Sequence, residues 1–533
     1  MNDTTATTGW SGSYIAVDGA PFPIVGAEVH NSGSSTVDAI AESFSTVHRL
    51  GANTVLAPVA WELLEPEEGV FDFELIDTMV NTASALGMRL IPLWFGSWKN
   101  AVSTYVPRWV KTNVERFPRA VLSNGRRAEH LSAFGIESSR ADACAFAELM
   151  GHIAAVDTDN IVLAVQVENE IGLLGDTRDR GELAEAAFTA HVPAEVVDAV
   201  ASDPSMPLHQ EWLDHGSRRE GTWSEVFPDG DRRDEAFMAA AFAAYVGKVA
   251  AAGAAEHDIP LFVNAWLDAD SVLDGPIALA GGKRPGDYPS GGPIMPVAAI
   301  WESLAPHLHF LAVDLYVDES EEVFEAYRSR RGRLFIPELR ADTLGIAQMF
   351  SALGTHRALG VSLFGVDSLD PSHPDSSQLV DAYHLLKAAA LLIRQNPDAA
   401  VEAFVLSEAQ PEAQLQLKDA TIMIRSKDER GAVTPVYPAY GIAIEDGDGL
   451  YIIGRGFWIT LGTSEPKQAS FASATQYRLD DGKLRPLRHL NGDETGGGTL
   501  IPFPFSETPL LPGRVIPTRI PDAGITRISV YTY

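Results

Sequence analysis

The sequence predicts an α/β protein, a (β/α)8 barrel followed by a smaller C-terminal all-β domain. Two observations carry this. Between about residues 20 and 395, eight short apolar runs alternate with longer helical patterns, and each run exits into polar or aromatic residues. After Asn396 the helical patterns stop, and alternating short runs separated by turn dipeptides take over. A chain of 533 residues holds one barrel of roughly 250 to 400 residues and a small companion. The expected division is residues 1–396 for the barrel and 397–533 for the β-rich accessory domain.

The elements follow in order. Pro23–Ala27 reads as the first strand and exits into Glu28, Val29, His30 and Asn31, ahead of a helix at Val37–Leu50 closed by Gly51. Thr54–Val59 is the second strand, exiting at Trp61 and Glu62, with a helix at Phe73–Leu86. Arg89–Leu93 is the third and exits through Trp94, Phe95, Gly96, Ser97, Trp98, Lys99 and Asn100. A long connection, residues 101–140, leads to a helix at Ala141–Val156. The fourth run, in Asn160–Gly172 (NIVLAVQVENEIG), is β-branched and free of turn residues, so it reads as a strand buried on both faces; it ends in Gln166, Glu168, Asn169 and Glu170. Solvated loop charges after a core strand are the plain alternative for such acids.

Residues 176–230 are an insertion with two or three short helical patterns, long enough for a lid or wall over the site. An alanine-rich helix at Asp234–Ala255 precedes strand five, Ile259–Val263, which exits into Asn264, Ala265 and Trp266. The glycine- and proline-rich stretch 268–293 is expected to be irregular. Helix Val297–Leu304, strand His309–Leu315 with Tyr316 after it, helix Ser320–Arg330 and strand Arg333–Ile336 with Glu338 after it come next. Helix Leu344–Leu353, strand Gly360–Phe364 and helix Gln378–Arg394 complete eight units. Beyond them, ATIMIR, GIAIED, GLYIIGRGFWITL and RISVYTY are strand-like, with turns at Asp446-Gly447 and Asp481-Gly482.

Acidic residues outnumber basic ones 72 to 40, a net charge of −32 that disfavours nucleic acid and anionic lipid as partners and leaves a neutral substrate such as a sugar unhindered. The single cysteine, Cys144, excludes an intrachain disulfide and a cysteine-based metal cluster, and is expected to serve packing. The N-terminal residues lack a basic and apolar leader pattern, and no run of about 18 apolar residues occurs, so a cytoplasmic location is expected.

In a parallel barrel the chemistry sits at the carboxyl ends of the strands. Glu170 after strand four and Glu338 after strand seven face each other across the mouth, and two converging carboxylates are what glycosidic cleavage needs. One is held protonated for the leaving oxygen, while the other stays ionised to attack the anomeric carbon. A separation near 5 Å predicts retention, whereas about 6.5–9.5 Å leaves room for water and predicts inversion. Sugar sites combine aromatic platforms with fixed polar groups. Glu28, His30, Trp94, Trp98, Lys99, Asn264, Trp266 and Phe364 all lie at strand exits. His30 has no second histidine at a ligand-like spacing, so it is expected to hydrogen-bond rather than hold a metal.

The motifs VQVENEIG and FIPELR resemble the retaining β-glycosidases of clan A, and glycoside hydrolase family 35, the β-galactosidases, most closely. The similarity runs through the barrel, including GANTVLAPVAWELLEPEEGVFDF and LWFGSWKNAVSTYVPRWVK, and suggests a bacterial branch with a C-terminal β-domain. The resemblance implies that Glu170 is the acid/base and Glu338 the nucleophile, that Asn169 binds the sugar 2-hydroxyl, and that Tyr316 donates to Glu338. Glu168, two residues before Glu170 and on the same strand face if the extension persists, is the rival acid. The chain departs from the family at Pro58-Val59-Ala60-Trp61, where a tyrosine is usual, and at Ser97-Trp98-Lys99-Asn100, where a sugar-binding glutamate is usual. The expected function is therefore an exo-acting β-galactosidase without metal or organic cofactor, acting on a glycoside, with a homo-oligomer allowed. A clan A enzyme for a β-arabinoside, β-fucoside or β-glucoside, and a non-catalytic sugar-binding barrel, stand as alternatives.

Overall fold

A computed structural model describes residues 9–270, 272–274, 277–417, 420–426, 435–462, 468–504 and 524–533. Its centre is an eight-stranded parallel sheet: β1 (Ile24–Glu28), β2 (Thr54–Ala60), β3 (Arg89–Phe95), β4 (Val165–Val167), β5 (Leu261–Trp266), β6 (Phe310–Asp314), β7 (Phe335–Ile336) and β8 (Gly360–Phe364). Their order is β6-β5-β4-β3-β2-β1-β8-β7. The ends meet where the Leu315 N–H donates to the Glu338 carbonyl at 2.8 Å, which brings the chain after β6 beside the chain after β7.

Side chains alternate along each strand, so every second residue fills the interior. Ile24, Leu56, Ile91, Leu93, Phe95, Phe262, Phe310, Ala312 and Phe335 form that inner core. A three-stranded antiparallel sheet, Gly9–Ser11, Tyr14–Val17 and Ala20–Pro21, adds Ile15 and Val17 to the same core. Trp10 meets Phe310 edge-on at 6.4 Å, so this N-terminal sheet caps the interior from the side opposite the strand exits. It is absent from the sequence expectation because its strands are too short to show a period.

Helices cover the sheet: α1 (Val37–Leu50), α2 (Glu74–Ala85), α3 (Ile136–Val156), α4 (Asp231–Glu256), α5 (Ala298–Leu304), α6 (Glu321–Ser329), α7 (Thr343–Gly354) and α8 (Ser377–Gln395). Thr36 Oγ1 caps α1 at the Ala39 N–H, and Gly51 ends it at φ 98°, a left-handed conformation that suits glycine. α4 is long and apolar enough to cross a membrane, but most of that apolar window is buried. It lies directly on α3, where a Cβ on Gly253 would strike the Phe146 ring.

Several expectations are corrected. α3 begins at Ile136 rather than Ala141, and the connection before it holds an antiparallel pair, Arg119–Val121 with Arg127–Leu131. The insertion contains four helices, Glu182–Thr189, Ala194–Ser202, Pro207–Asp214 and Trp223–Val226, and contributes helices that pack on α4 and α5 in the outer layer. Stretch 268–293 contains a short antiparallel pair, Val272–Asp274 and Ile277–Ala280. Cys144 is exposed, so it fills no core space.

The C-terminal part is two antiparallel sheets. The six-stranded one is ordered Val401–Leu406, Ala439–Asp446, Gly449–Arg455, Ile525–Thr532, Ala469–Asp480 and Lys483–His489. The four-stranded one is Glu412–Gln416, Thr421–Arg425, Trp458–Gly462 and Leu500–Pro502. Leu406, Ile422, Ile424, Ile452, Ile459 and Ile501 fill the space between them. Tyr440, Ile442, Ile453 and Ile525 instead join the barrel's own core, with Tyr440 4.5 Å from Phe350 of α7. Both expected hairpins occur, the first with its turn one residue later, at Gly447-Asp448; Asp481 and Gly482 take φ 47° and 67°, as a two-residue Asp-Gly hairpin requires.

Candidate active site

The stretch after β4 decides which acid faces the barrel mouth. Extension stops at Val167, and the backbone enters the left-handed region at Glu168 (φ 64°) and again at Glu170 (φ 47°). Such conformations in non-glycine residues persist only where the surroundings hold them, and they cluster at functional sites. The two glutamates are thereby sent to different places. Glu168 accepts from the Ser97 N–H at 3.1 Å and the Trp98 N–H at 2.7 Å. Its neighbour Asp142, on α3, accepts from Trp94 Nε1 at 2.9 Å and Ser97 Oγ at 2.6 Å. Burial first, then the charge of Asp142, pushes the Glu168 carboxyl well above its usual range. Glu168 is thus a brace beneath the β3 exit.

Glu170 turns the other way. Its N–H donates to Asn264 Oδ1 at 3.0 Å, and one carboxyl oxygen each from Glu170, Glu338 and Asp314 lie within 4.8 Å of one another. Tyr316 OH donates to Glu338 Oε2 at 2.7 Å, and Asn169 Nδ2 donates to Glu338 Oε1 at 3.3 Å. Lys99 Nζ donates to Asn169 Oδ1 at 2.9 Å and lies 3.9 Å from Glu338 Oε1. An ammonium only donates, so Lys99 fixes which end of the Asn169 amide faces Glu338. Asn264 Nδ2 completes a second chain by donating to Asp314 Oδ2 at 2.6 Å.

These groups are nearly sealed from bulk water, which sharpens every charge interaction among them. Glu170 is held up at about 7, first by burial and second by the charge of Glu338; Lys99 and a hydrogen bond from Asp314 pull against this. Burial pulls the Lys99 pKa down, but Glu338, Glu170, Glu28 and Asp314 outweigh it and raise it. Glu28 and Asp314 are both pushed well above the carboxylate range, by burial and then by Glu338. The trio Glu170, Asp314 and Glu338 is close enough to hold a cation, yet the Lys99 ammonium already supplies positive charge there.

Of the residues the sequence nominated, Glu28, Lys99, Asn169, Glu170, Asn264, Tyr316 and Glu338 come together. Glu28 is buried, with no hydrogen-bond partner on either oxygen among the described residues. Phe364 is partly exposed 5.9 Å from Lys99 Nζ and meets His30 edge-on at 5.0 Å. His30 stands exposed at the rim, its N–H donating to Asp367 Oδ1 at 2.9 Å, and Asn100 is exposed in the turn after Lys99. Trp266 is partly exposed at the end of β5.

Trp94 and Trp98 are corrections. Both are fully buried in the outer layer: Trp94 packs on Trp61 and Phe146, and Trp98 packs on Phe242 and Tyr245 of α4. Alternation along β3 turns Leu93 and Phe95 inward, so Trp94 between them faces the helices. Phe95 takes the inward place, with Lys99 Nζ 5.1 Å from its ring. Asp314, Phe95 and Asp142 were not nominated. For Asp314 the signal was present: an acid two residues before Tyr316, on the alternate positions that point inward along an otherwise apolar strand.

Residues 31–215 match the glycoside hydrolase family 42 model, described as Beta-galactosidase, and residues 379–502 match a domain of unknown function, DUF5597. That family-42 match runs from just after β1 through β4 and into the insertion. The expectation of family 35 is corrected here: the family model that matches is 42. Among solved structures, the β-galactosidase of the psychrophilic Marinomonas ef1 is 14% identical at a TM-score of 0.46, covering 69% of this chain and 60% of that one. A catalytic mutant of a GH42 β-galactosidase from G. stearothermophilus is 14% identical at 0.47, covering 69% and 57%. The catalytic domain of a β-amylase from Paenibacillus polymyxa is 12% identical at 0.46, covering 65% and 93%. The chain thus spans under two thirds of those two β-galactosidases. No curated protein matches the chain.

Proposed function

We propose that the protein is an exo-acting, retaining β-glycosidase that removes a terminal β-galactosyl residue, with Glu170 as general acid/base and Glu338 as nucleophile. The observation that carries this reading is the close approach of the two carboxyls, whose oxygens lie within 4.8 Å. So close an approach goes with the shorter of the two carboxylate separations, the one that suits direct attack on the anomeric carbon. Their surroundings divide the roles. Glu170, held up at about 7, keeps a proton for the leaving oxygen. Glu338 receives Tyr316 OH and Asn169 Nδ2 with Lys99 nearby, a donor set that suits an anionic nucleophile.

In the first step Glu338 attacks the anomeric carbon while the Glu170 proton passes to the departing oxygen. In the second, Glu170 takes a proton from water, which displaces Glu338 from the sugar. Asn169 sits beside the attacking oxygen, where it can also bind the 2-hydroxyl, a contact that tightens in the oxocarbenium-like transition state. Glu28, with both oxygens unpartnered, is suited to accept from two sugar hydroxyls. Galactose rests on the family match together with this polar floor. The test is hydrolysis of aryl β-glycosides differing only in the terminal sugar, with the first-released anomer followed by NMR. The β-galactoside is expected to be cleaved best and to give β-product first; initial α-product would overturn retention, and preference for another sugar would overturn galactose.

A further inference from the structure

Asp314 is the acid that the two-carboxylate mechanism leaves without a task. The residue is 3% exposed, Oδ2 is taken by Asn264 Nδ2 at 2.6 Å, and Oδ1 meets no donor among the described residues. One of its oxygens lies within 4.8 Å of both Glu170 and Glu338. A third carboxylate confined there cannot stay ionised beside the other two, because the charged groups facing it are Glu338, Glu170 and Glu28 against the single cation Lys99, with the phenol of Tyr316 alongside. Asn264 binds both acids: its Oδ1 accepts the Glu170 N–H, and its Nδ2 donates to Asp314. Asn264 therefore sets the position of Asp314 relative to the backbone of Glu170.

We propose that Asp314 is a positioning residue for Glu170, a protonated acid whose Oδ1 hydroxyl donates to the Glu170 carboxylate whenever Glu170 has given up its proton. This rests on the acid/base assignment above. Proton bookkeeping is simple. Glu170 loses its proton to the leaving oxygen and regains one from water, while the Asp314 proton stays on Asp314 throughout. Its hydrogen bond is strong only while Glu170 is negative, which is the state that must accept a proton from water. The burial and like charges that raise the Asp314 carboxyl agree with a proton resident there at neutral pH.

The orientation of Asn264 makes the test selective. In Asp314→Asn, the new amide oxygen must face Asn264 Nδ2, leaving the new Nδ2 in the place of Oδ1, where it still donates to Glu170. In Asp314→Ala no donor remains. The alkaline limb of kcat/KM is expected to move up by about one pH unit in Asp314→Ala, the worth of one lost hydrogen bond to a charged group, and to stay near wild type in Asp314→Asn. A role confined to packing would lower activity without moving the limb, so an unmoved limb in Asp314→Ala, or an equal shift in Asp314→Asn, overturns the proposal.

An infrared difference spectrum of wild type against Asp314→Asn at neutral pH supplies an arm independent of turnover and of the Ala variant's folding. Loss of a protonated-carboxyl C=O band in Asp314→Asn is expected, and its absence overturns the proposal. If no glycoside is cleaved while the band is lost, the acid/base assignment fails and the positioning role falls with it, whereas the protonated Asp314 stands.

Discussion

At the residue scale, the site is a balance of four buried carboxylic groups, Glu28, Glu170, Asp314 and Glu338, around one ammonium. Only a protonated Glu170 can donate, so the competent fraction of free enzyme falls as pH rises through about 7, and kcat/KM should fall tenfold per unit beyond it. Lys99 opposes the upward shift of Glu170 and fixes the Asn169 amide. Lys99→Met should therefore raise the alkaline limb and lower kcat by roughly 10²-fold, since a misplaced partner beside the reacting centre is that costly. A pH–rate profile of the variant with its limb unmoved would contradict this placing of Lys99.

At the element scale, the strand grammar was legible where a run is both apolar and laddered. Gly360–Phe364 is legible to the residue because β8 pairs along its whole length with β1. β4 is not: the run from Ile161 reads as strand, yet only Val165–Val167 joins the ladder, with Val162 reaching Leu90 through an isolated bridge. The break at Glu168 left no mark in the periodicity, since left-handed glutamates are held by distant partners, here the Ser97 and Trp98 N–H groups. Strand-exit position found the acids, Lys99 and Asn264, but could not tell inward from outward aromatics.

One element-level consequence concerns α4 and the loop after β5. Tyr288 OH donates to Glu235 Oε1 at 2.6 Å, and burial raises Glu235 to about 7 from an ordinary 4.5. The folded state then holds more protons than the unfolded one between about 4.5 and 7. That contribution is present below the lower value and is lost as pH climbs through the upper, by at most about 3 kcal/mol. Glu235→Gln keeps an acceptor for Tyr288 and removes the titration, so its Tm should change less between pH 5 and 8 than that of wild type. Equal slopes in the two proteins would contradict it.

At the scale of the whole molecule, one hydrophobic core runs from the barrel helices into the six-stranded sheet, and Arg455 Nη1 donates to Asp381 of α8 at 2.6 Å across the same face. The six-stranded sheet thus braces α7 and α8, the helices that follow β7 and β8. Closure of the barrel at Leu315 and Glu338 brings the exits of β6 and β7 together, while the break after β4 turns Glu170 toward them. The central claim is that Glu338 becomes covalently attached to the sugar. Incubation with a 2-deoxy-2-fluoro-β-galactoside bearing a dinitrophenyl leaving group, followed by peptide mass mapping, tests it directly. A fluorosugar adduct on Glu338, absent in Glu338→Gln, is the predicted result; an adduct on Glu170, or active turnover through a pathway that never labels Glu338, would contradict it.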